Sequence, residues 1–218
     1  MANETSQFGR WQPWQPEEVA SFFSPLTVPW WIAGGWALDL FLGGKTREHE
    51  DIDVLFLRRD QREIRAHLPG WDVQEAHPEL LPGSWPFQEW KQHALLPLSV
   101  HDLWCRPNKS APWALQLMVI DTDREQWLFR RTAQIRGSLS TLGRVSKDGI
   151  PYLAPEIQLL YKARGLRPKD EADFARTLPA LERESRQWLA RSLAFVHPGH
   201  SWLSELASIS SDGAGLPS

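Results

Sequence analysis

Two carboxylates, Asp51 and Asp53, head the apolar run Ile52 to Leu57, and this pair constrains the chain more than any other feature. Side chains two apart on a strand share a face. A strand over 51–57 therefore turns both acids one way, while Ile52 and Val54 enter the opposite layer. Neighbouring carboxylates repel, and a divalent cation is their cheapest neutraliser. Hard oxygen donors suit Mg2+, which keeps part of its water shell and often bridges to nucleotide phosphates. Just upstream, an apolar run ending at Ala33 meets Gly34-Gly35 and a helical pattern that continues to Leu42. The unpaired N–H groups at a helix start attract anions. The stretch thus reads as metal ligands beside a phosphate pocket.

The remaining pattern supplies a mixed α/β frame. A helix is predicted over 16–23, with Pro16 and two acids in its first turn. A buried strand over 28–33, a helix over 35–42 closed by Gly43-Gly44, the strand over 51–57 and a helix over 60–68 follow. Further strands are expected over 71–75, 98–106, 113–121 and 125–130, the middle two as a hairpin around Pro107-Asn108-Lys109. A Pro-rich connection over 78–86 carries Trp85 at its tip. Beyond 155 the style changes. Ile157, Leu160 and Tyr161 recur at helical spacing up to Gly165, and helices over 168–178 and 181–196 complete the pattern. The expected organisation is a mixed-sheet α/β (α+β) domain over 1–148, a helical region over 149–208 and a disordered tail over 209–218. Residues 1–15 read as a polar strip draped on the surface.

Composition narrows the function. The net charge of −3 leaves no basic excess for general nucleic-acid binding, although local Arg and Lys can still hold a small anion. Cys105 is the one cysteine, so no internal disulfide forms and a reducing compartment is expected. The first residues lack a signal-peptide pattern, and no apolar run approaches the ~20 residues of a membrane helix. A cytoplasmic protein is the expectation. The 13 tryptophans read first as packing residues, with sugar or base stacking in a cleft as the alternative.

The run GGWALD, then Arg47 and His49, then DIDV, resembles the nucleotidyltransferases of the DNA polymerase β superfamily. The nearest branch holds aminoglycoside 2''-adenylyltransferases and lincosamide nucleotidyltransferases, and APEIQLLYKARG with KDEADF extends the resemblance to Phe174. The resemblance implies a mixed-sheet nucleotidyltransferase domain with a helical appendage. It implies a Mg2+-dependent enzyme that moves a nucleoside monophosphate, AMP from ATP, onto a hydroxyl of a small molecule such as an aminoglycoside or lincosamide antibiotic. Asp51 and Asp53 would be catalytic metal ligands, and Gly34, Gly35, Arg47 and Lys162 would bind the nucleotide.

The family places a third acid within a later strand, where the register here offers the neutral Gln116. Asp102, on the partner strand, is the candidate catalytic replacement, while Asp121 faces the other side. A cationic acceptor would want an acidic cleft, for which Glu75, Glu79, Glu89, Asp102 and Asp121 are available. Each site residue also has a plainer role: solvated strand-head acids for Asp51 and Asp53, and an ion pair with Asp170 or Asp173 for Lys162. For Arg47 the plainer role is a solvated loop charge, and for His49 it is to orient an aspartate. Two other functions stay open. One is the same transfer onto protein or RNA, as in antitoxin-like relatives; the other is nucleotide binding without catalysis, which Gln116 motivates.

Overall fold

The structure, a computed structural model, describes residues 9–76, 87–165 and 167–211. The first half runs α1 (Pro16–Phe23), β1 (Trp30–Ala33), α2 (Gly34–Leu42), β2 (Asp53–Leu57), α3 (Gln61–Ala66), β3 (Asp72–Ala76) and β4 (Phe87–Glu89). Next come β5 (Asp102–Arg106), β6 (Leu115–Asp123), β7 (Gln126–Leu128), β8 (Arg136–Ser138), β9 (Gly143–Val145) and β10 (Pro151–Leu153). Helices α4 (Pro155–Lys162), α5 (Pro168–Thr177), α6 (Arg183–Val196) and α7 (Trp202–Ser211) close the chain.

One mixed sheet orders its strands β4-β3-β5-β6-β2-β1-β10-β9, with β7 and β8 extending from β6. Only β1–β10 and β2–β6 pair in parallel. Strand β2 lies at the centre and is buried on both faces after Asp53, which explains its unbroken apolar run. Strand β5 alternates buried and half-buried residues. The expected hairpin forms, with Trp104 opposite Gln116 in an antiparallel register. Helix α2 packs on β1 and β10, α3 on β2, α6 on α4, and α7 on α6.

The mixed α+β architecture agrees with the sequence pattern, and three of its boundaries move. Strand β10 lies within the stretch expected to be helical, where Tyr152 pairs beside Ile32 of β1, so the sheet continues past 148. Three residues between Gly149 and Pro155 are too short to show a period. Helix α7 was not anticipated, because His197-Pro198-Gly199 breaks the helical pattern and the segment beyond is rich in Ser. It runs to Ser211, so the expected tail begins inside a helix, and 212–218 lie outside the described residues. The expected connection over 78–86, with Trp85 and Glu79, also lies outside them.

The strip before α1 is stitched to the sheet. The Gln12 and Trp14 N–H groups donate to the Trp113 and Ala114 carbonyls at 2.9 and 3.0 Å. Trp11 packs edge-on against Trp104 at 5.0 Å, and Trp14 against Trp71 at 5.3 Å. Trp30, Trp36, Trp90, Trp113, Trp127 and Trp202 are buried, and Trp14, Trp31, Trp71 and Trp188 pack half-buried against the core, so the described tryptophans serve mostly in packing. Cys105 is buried as well, and burial pushes its thiol up, away from nucleophilic use. Among the described residues no helix is long and apolar enough to cross a membrane.

Trp202 fixes α7. Its ring is fully buried and stacks on Phe174 of α5 at 4.1 Å, and its Nε1–H donates to Glu171 Oε2 at 2.9 Å. Trp202→Ala removes ring contacts and this hydrogen bond together. It should cost about 3–5 kcal/mol in urea unfolding, the range for emptying a buried aromatic site.

Candidate active site

The site forms where β1 ends and β2 and β6 begin. Asp53 sits between Ala33 of β1 and Gln116 of β6 in the sheet register, so the first acid of β2 emerges at this end. Gly34 turns the chain from β1 into α2 with φ of +68°, and a Cβ there would overlap Asp53 Oδ2. Only glycine tolerates both the left-handed backbone and the close approach. The Asp53 carboxylate therefore lies directly against the glycine turn. The Gly34 N–H donates to Gln158 Oε1 of α4 at 2.8 Å, so this amide is held by the protein itself. The remaining first-turn amides of α2 face the helix start, where anions are favoured.

Asp51, Asp53, Gly34 and Gly35 line one cleft of about 420 Å3. Asp53 is pushed up to about 8, first by burial and then by the charges of Asp51 and Asp102, against the pull of Lys162 and Lys169. The acids thus crowd at this point, and without a cation the Asp53 carboxyl keeps its proton at neutral pH.

An ionic lattice braces the cleft. Arg47 reaches Asp173 of α5 through two parallel bonds, Nε and Nη2 each at 2.9 Å. Lys162 Nζ lies 2.8 Å from Asp170 and 2.9 Å from Asp173, and Arg167 Nε donates to Asp170 at 2.7 Å. Burial alone would raise both aspartates. The hydrogen bonds from Arg167 and Lys162 to Asp170, and from Arg47 and Lys162 to Asp173, outweigh it and hold both low.

His49 is equally engaged. Its Nε2 is 2.6 Å from Asp39 Oδ2, its Nδ1 is 3.1 Å from Arg47 Nη1, and its ring stacks on Trp36 at 4.2 Å. Arginine can only donate, so Nδ1 accepts and the proton sits on Nε2, facing Asp39. Burial works to raise Asp39, but its bonds from His49 and Thr46 prevail and hold it low.

A profile of the family described as aminoglycoside-2''-adenylyltransferase matches residues 17–177. The chain belongs to that family. A 2''-aminoglycoside nucleotidyltransferase of Klebsiella pneumoniae is 46% identical over 50 residues, 22% of this chain and 28% of that protein. A lincosamide resistance protein of Staphylococcus haemolyticus is 40% identical over 38 residues, 17% of this chain and 24% of that protein. The chain thus spans 28% or less of the length of these curated relatives. Two solved structures share the fold. One is a lincomycin-bound lincosamide antibiotic adenylyltransferase, with TM-score 0.51 and 19% identity over 76% of this chain and 95% of that one. The other is the antibiotic-resistance factor ANT(2'')-Ia, with TM-score 0.51 and 17% identity over 90% and 94%.

Within this aminoglycoside-2''-adenylyltransferase family member, the expected site residues divide. Asp51, Asp53, Gly34 and Gly35 converge in the cleft. Arg47 and Lys162 also line it, but their charges are committed to Asp170 and Asp173. Asp102 stands beside Gln116, which donates Nε2–H to its Oδ1 at 3.3 Å, and Arg130 Nη1 holds its other oxygen at 2.8 Å. No cluster of three His, Cys, Asp or Glu suited to a metal forms among the described residues, so Asp102 does not complete a three-acid centre.

The acidic cleft expected for a cationic acceptor does not assemble. Asp121 pairs with Arg58, Glu89 lies near Lys109, Glu75 is buried in β3, and Glu79 lies outside the described residues. Sequence reasoning assigned no role to Arg130, Arg131, Arg164, Arg167 and Lys169, which line the cleft from the β7–β8 loop, the α4–α5 turn and the head of α5.

Two outcomes test this geometry. Gly43 also has positive φ, but a Cβ there would meet nothing within 4 Å. Gly43→Ala should cost about 1–2 kcal/mol in urea unfolding, the ordinary left-handed penalty, and Gly34→Ala clearly more because Asp53 must move. The second concerns pH. A carboxyl raised in the fold binds its proton more tightly there than in the unfolded chain, so stability falls as pH rises from about 4 to about 8. Asp53→Asn should remove that slope in chelator-treated protein, gaining on the wild type between about pH 4 and pH 8 in denaturation midpoint.

Proposed function

We propose that this protein is a Mg2+-dependent nucleotidyltransferase that moves a nucleoside monophosphate, AMP from ATP, onto a hydroxyl of a small molecule. Aminoglycoside and lincosamide antibiotics are the first acceptors to test. The observation that carries the proposal is the meeting of Asp51 and Asp53 with the Gly34-Gly35 turn in one cleft.

The donor set fits the metal. Two hard carboxylates, one crowded and desolvated, favour a small divalent cation and leave coordination positions for water and phosphate oxygens. Mg2+ held by Asp51 and Asp53 would supply charge stabilisation to the phosphates and to the departing pyrophosphate. The protein's own residues then position and balance charge. The glycine turn and α2 start cradle phosphate, while Arg167 and Lys169 at the head of α5 face the same cleft. Arg47 and Lys162 keep the walls in register through Asp173 and Asp170. The acceptor oxygen bonds to the α-phosphorus as the bond to the β-phosphate oxygen breaks and pyrophosphate leaves. Most of the rate comes from positioning and electrostatics. We assign Asp102 as acceptor of the hydroxyl proton, since its charge already acts on Asp53 from the Gln116 side. ATP use carries with it a cytoplasmic site of action.

A second reading, nucleotide binding without transfer, is favoured by Gln116 standing beside Asp53 and by the Arg130–Asp102 pair. One experiment separates the two. Purified protein with ATP, Mg2+ and an acceptor panel should release pyrophosphate, whereas binding without release supports the second reading. Asp53→Asn should weaken Mg2+-dependent nucleotide binding by on the order of 10- to 100-fold, the loss of one charged ligand, with the circular dichroism spectrum unchanged. Unaltered binding would sink the transferase proposal.

A further inference from the structure

Gln158 of α4 is a buried carboxamide with one end unused. It is 6% exposed and lines the cleft. A backbone N–H only donates, so the atom 2.8 Å from the Gly34 nitrogen is Oε1, which fixes the orientation of the amide. Nε2, at the other end, carries two N–H groups that meet no acceptor among the described residues. It is not sealed from solvent, so it opens on the cleft. Gln61 shows the ordinary alternative. That side chain is similarly buried, at 8%, yet its Nε2 donates to the Arg58 carbonyl and its Oε1 accepts from the Leu96 N–H.

The unused donor stands beside the groups that would receive a triphosphate. Its own oxygen holds the Gly34 amide, and a Cβ on Gly34 would overlap Asp53. Lys162, one turn further along α4, does not serve there, because its ammonium is bound between Asp170 and Asp173. A neutral donor also suits this position. An ammonium or guanidinium so close to Asp53 would pair with it and compete with the divalent cation, whereas a carboxamide adds a hydrogen bond without charge. The Gly34 amide is spent on the protein, and Gln158 returns a donor in its place.

We propose that Gln158 is a two-ended clamp on the nucleotide: its oxygen holds the glycine turn while its Nε2–H donates to a phosphate oxygen of the bound nucleoside triphosphate. The hydrogen bonds then run from the Gly34 amide through the carboxamide to the phosphate, and each polarises the next. The inference rests on the transferase proposal and adds a triphosphate-contacting residue to it.

The test follows the glutamine side-chain NH2 resonances of the isotope-labelled full chain, with the Gln158 pair identified by its loss in Gln158→Met. Mg2+ with a non-hydrolysable ATP analogue should move this pair downfield and slow its exchange with water. Adenosine, which lacks the phosphates, should leave it in place. Gln158→Glu keeps an oxygen for the Gly34 amide and exchanges the donor for an acceptor. It should hold the wild-type urea midpoint and bind the analogue about tenfold or more weakly than the wild type. An unmoved Gln158 pair at saturation, an equal shift with adenosine, or wild-type analogue affinity in Gln158→Glu overturns the inference and leaves the transferase proposal standing. Failure of the wild type to bind the Mg2+ analogue removes both.

Discussion

Two buried carboxylates on α5, Asp170 and Asp173, hold the cleft in shape. Each is almost fully removed from water, and a buried charge without a partner costs several kcal/mol. Each is met by two cations or more: Asp173 by Arg47 and Lys162, Asp170 by Lys162 and Arg167. The pairs join three separate pieces of chain, since Arg47 lies in the loop before β2, Lys162 on α4 and both acids on α5. Breaking any one leaves a buried charge less compensated, and the loop that carries Asp51 is held by Asp173, 126 positions from Arg47.

That arrangement redistributes the site's electrostatics. Arg47 and Lys162 spend their charge inside the protein and serve as struts. Asp51 and Asp53 are left as crowded acids that a cation would relieve, and cations of the α4–α5 turn, the head of α5 and the β7–β8 loop line the cleft with them. A chain with a net charge of −3 thereby presents a locally basic cleft with an acidic centre. Bulk composition hides this because the compensating acids lie elsewhere, Asp121 with Arg58 and Glu89 near Lys109.

What the sequence revealed follows from which signals are local. The glycine turn, Asp53 at the head of β2 and the alternation of β5 are encoded by neighbouring residues and are present, whereas the strand expected from 51 starts at Asp53 and leaves Asp51 in the loop before it. The place of Gln116 at the position of the family's third acid was legible from the resemblance and the period of β6, and the sheet then sets it beside Asp53. Strands β8, β9 and β10 could not, since three residues show no period, and β10 joins the main sheet only through the distant β1. The commitment of Lys162 to both Asp170 and Asp173 was visible only as one option, because helical spacing says which residues are near and not which partner wins. Tryptophan abundance likewise proved to be packing: none of the described tryptophans lines the cleft.

Gln158 has a consequence for how this protein can be divided. Its carboxamide oxygen, on α4, receives the amide that begins α2, 124 positions earlier, while β10 supplies the edge against which β1 lies. The glycine turn at the start of α2 is therefore finished only when the last third of the polypeptide has arrived. Recombination that exchanges the catalytic-looking N-terminal part between homologues, without its matching helical half, would separate a backbone donor from the acceptor that orients it. The two halves form a single mechanical unit.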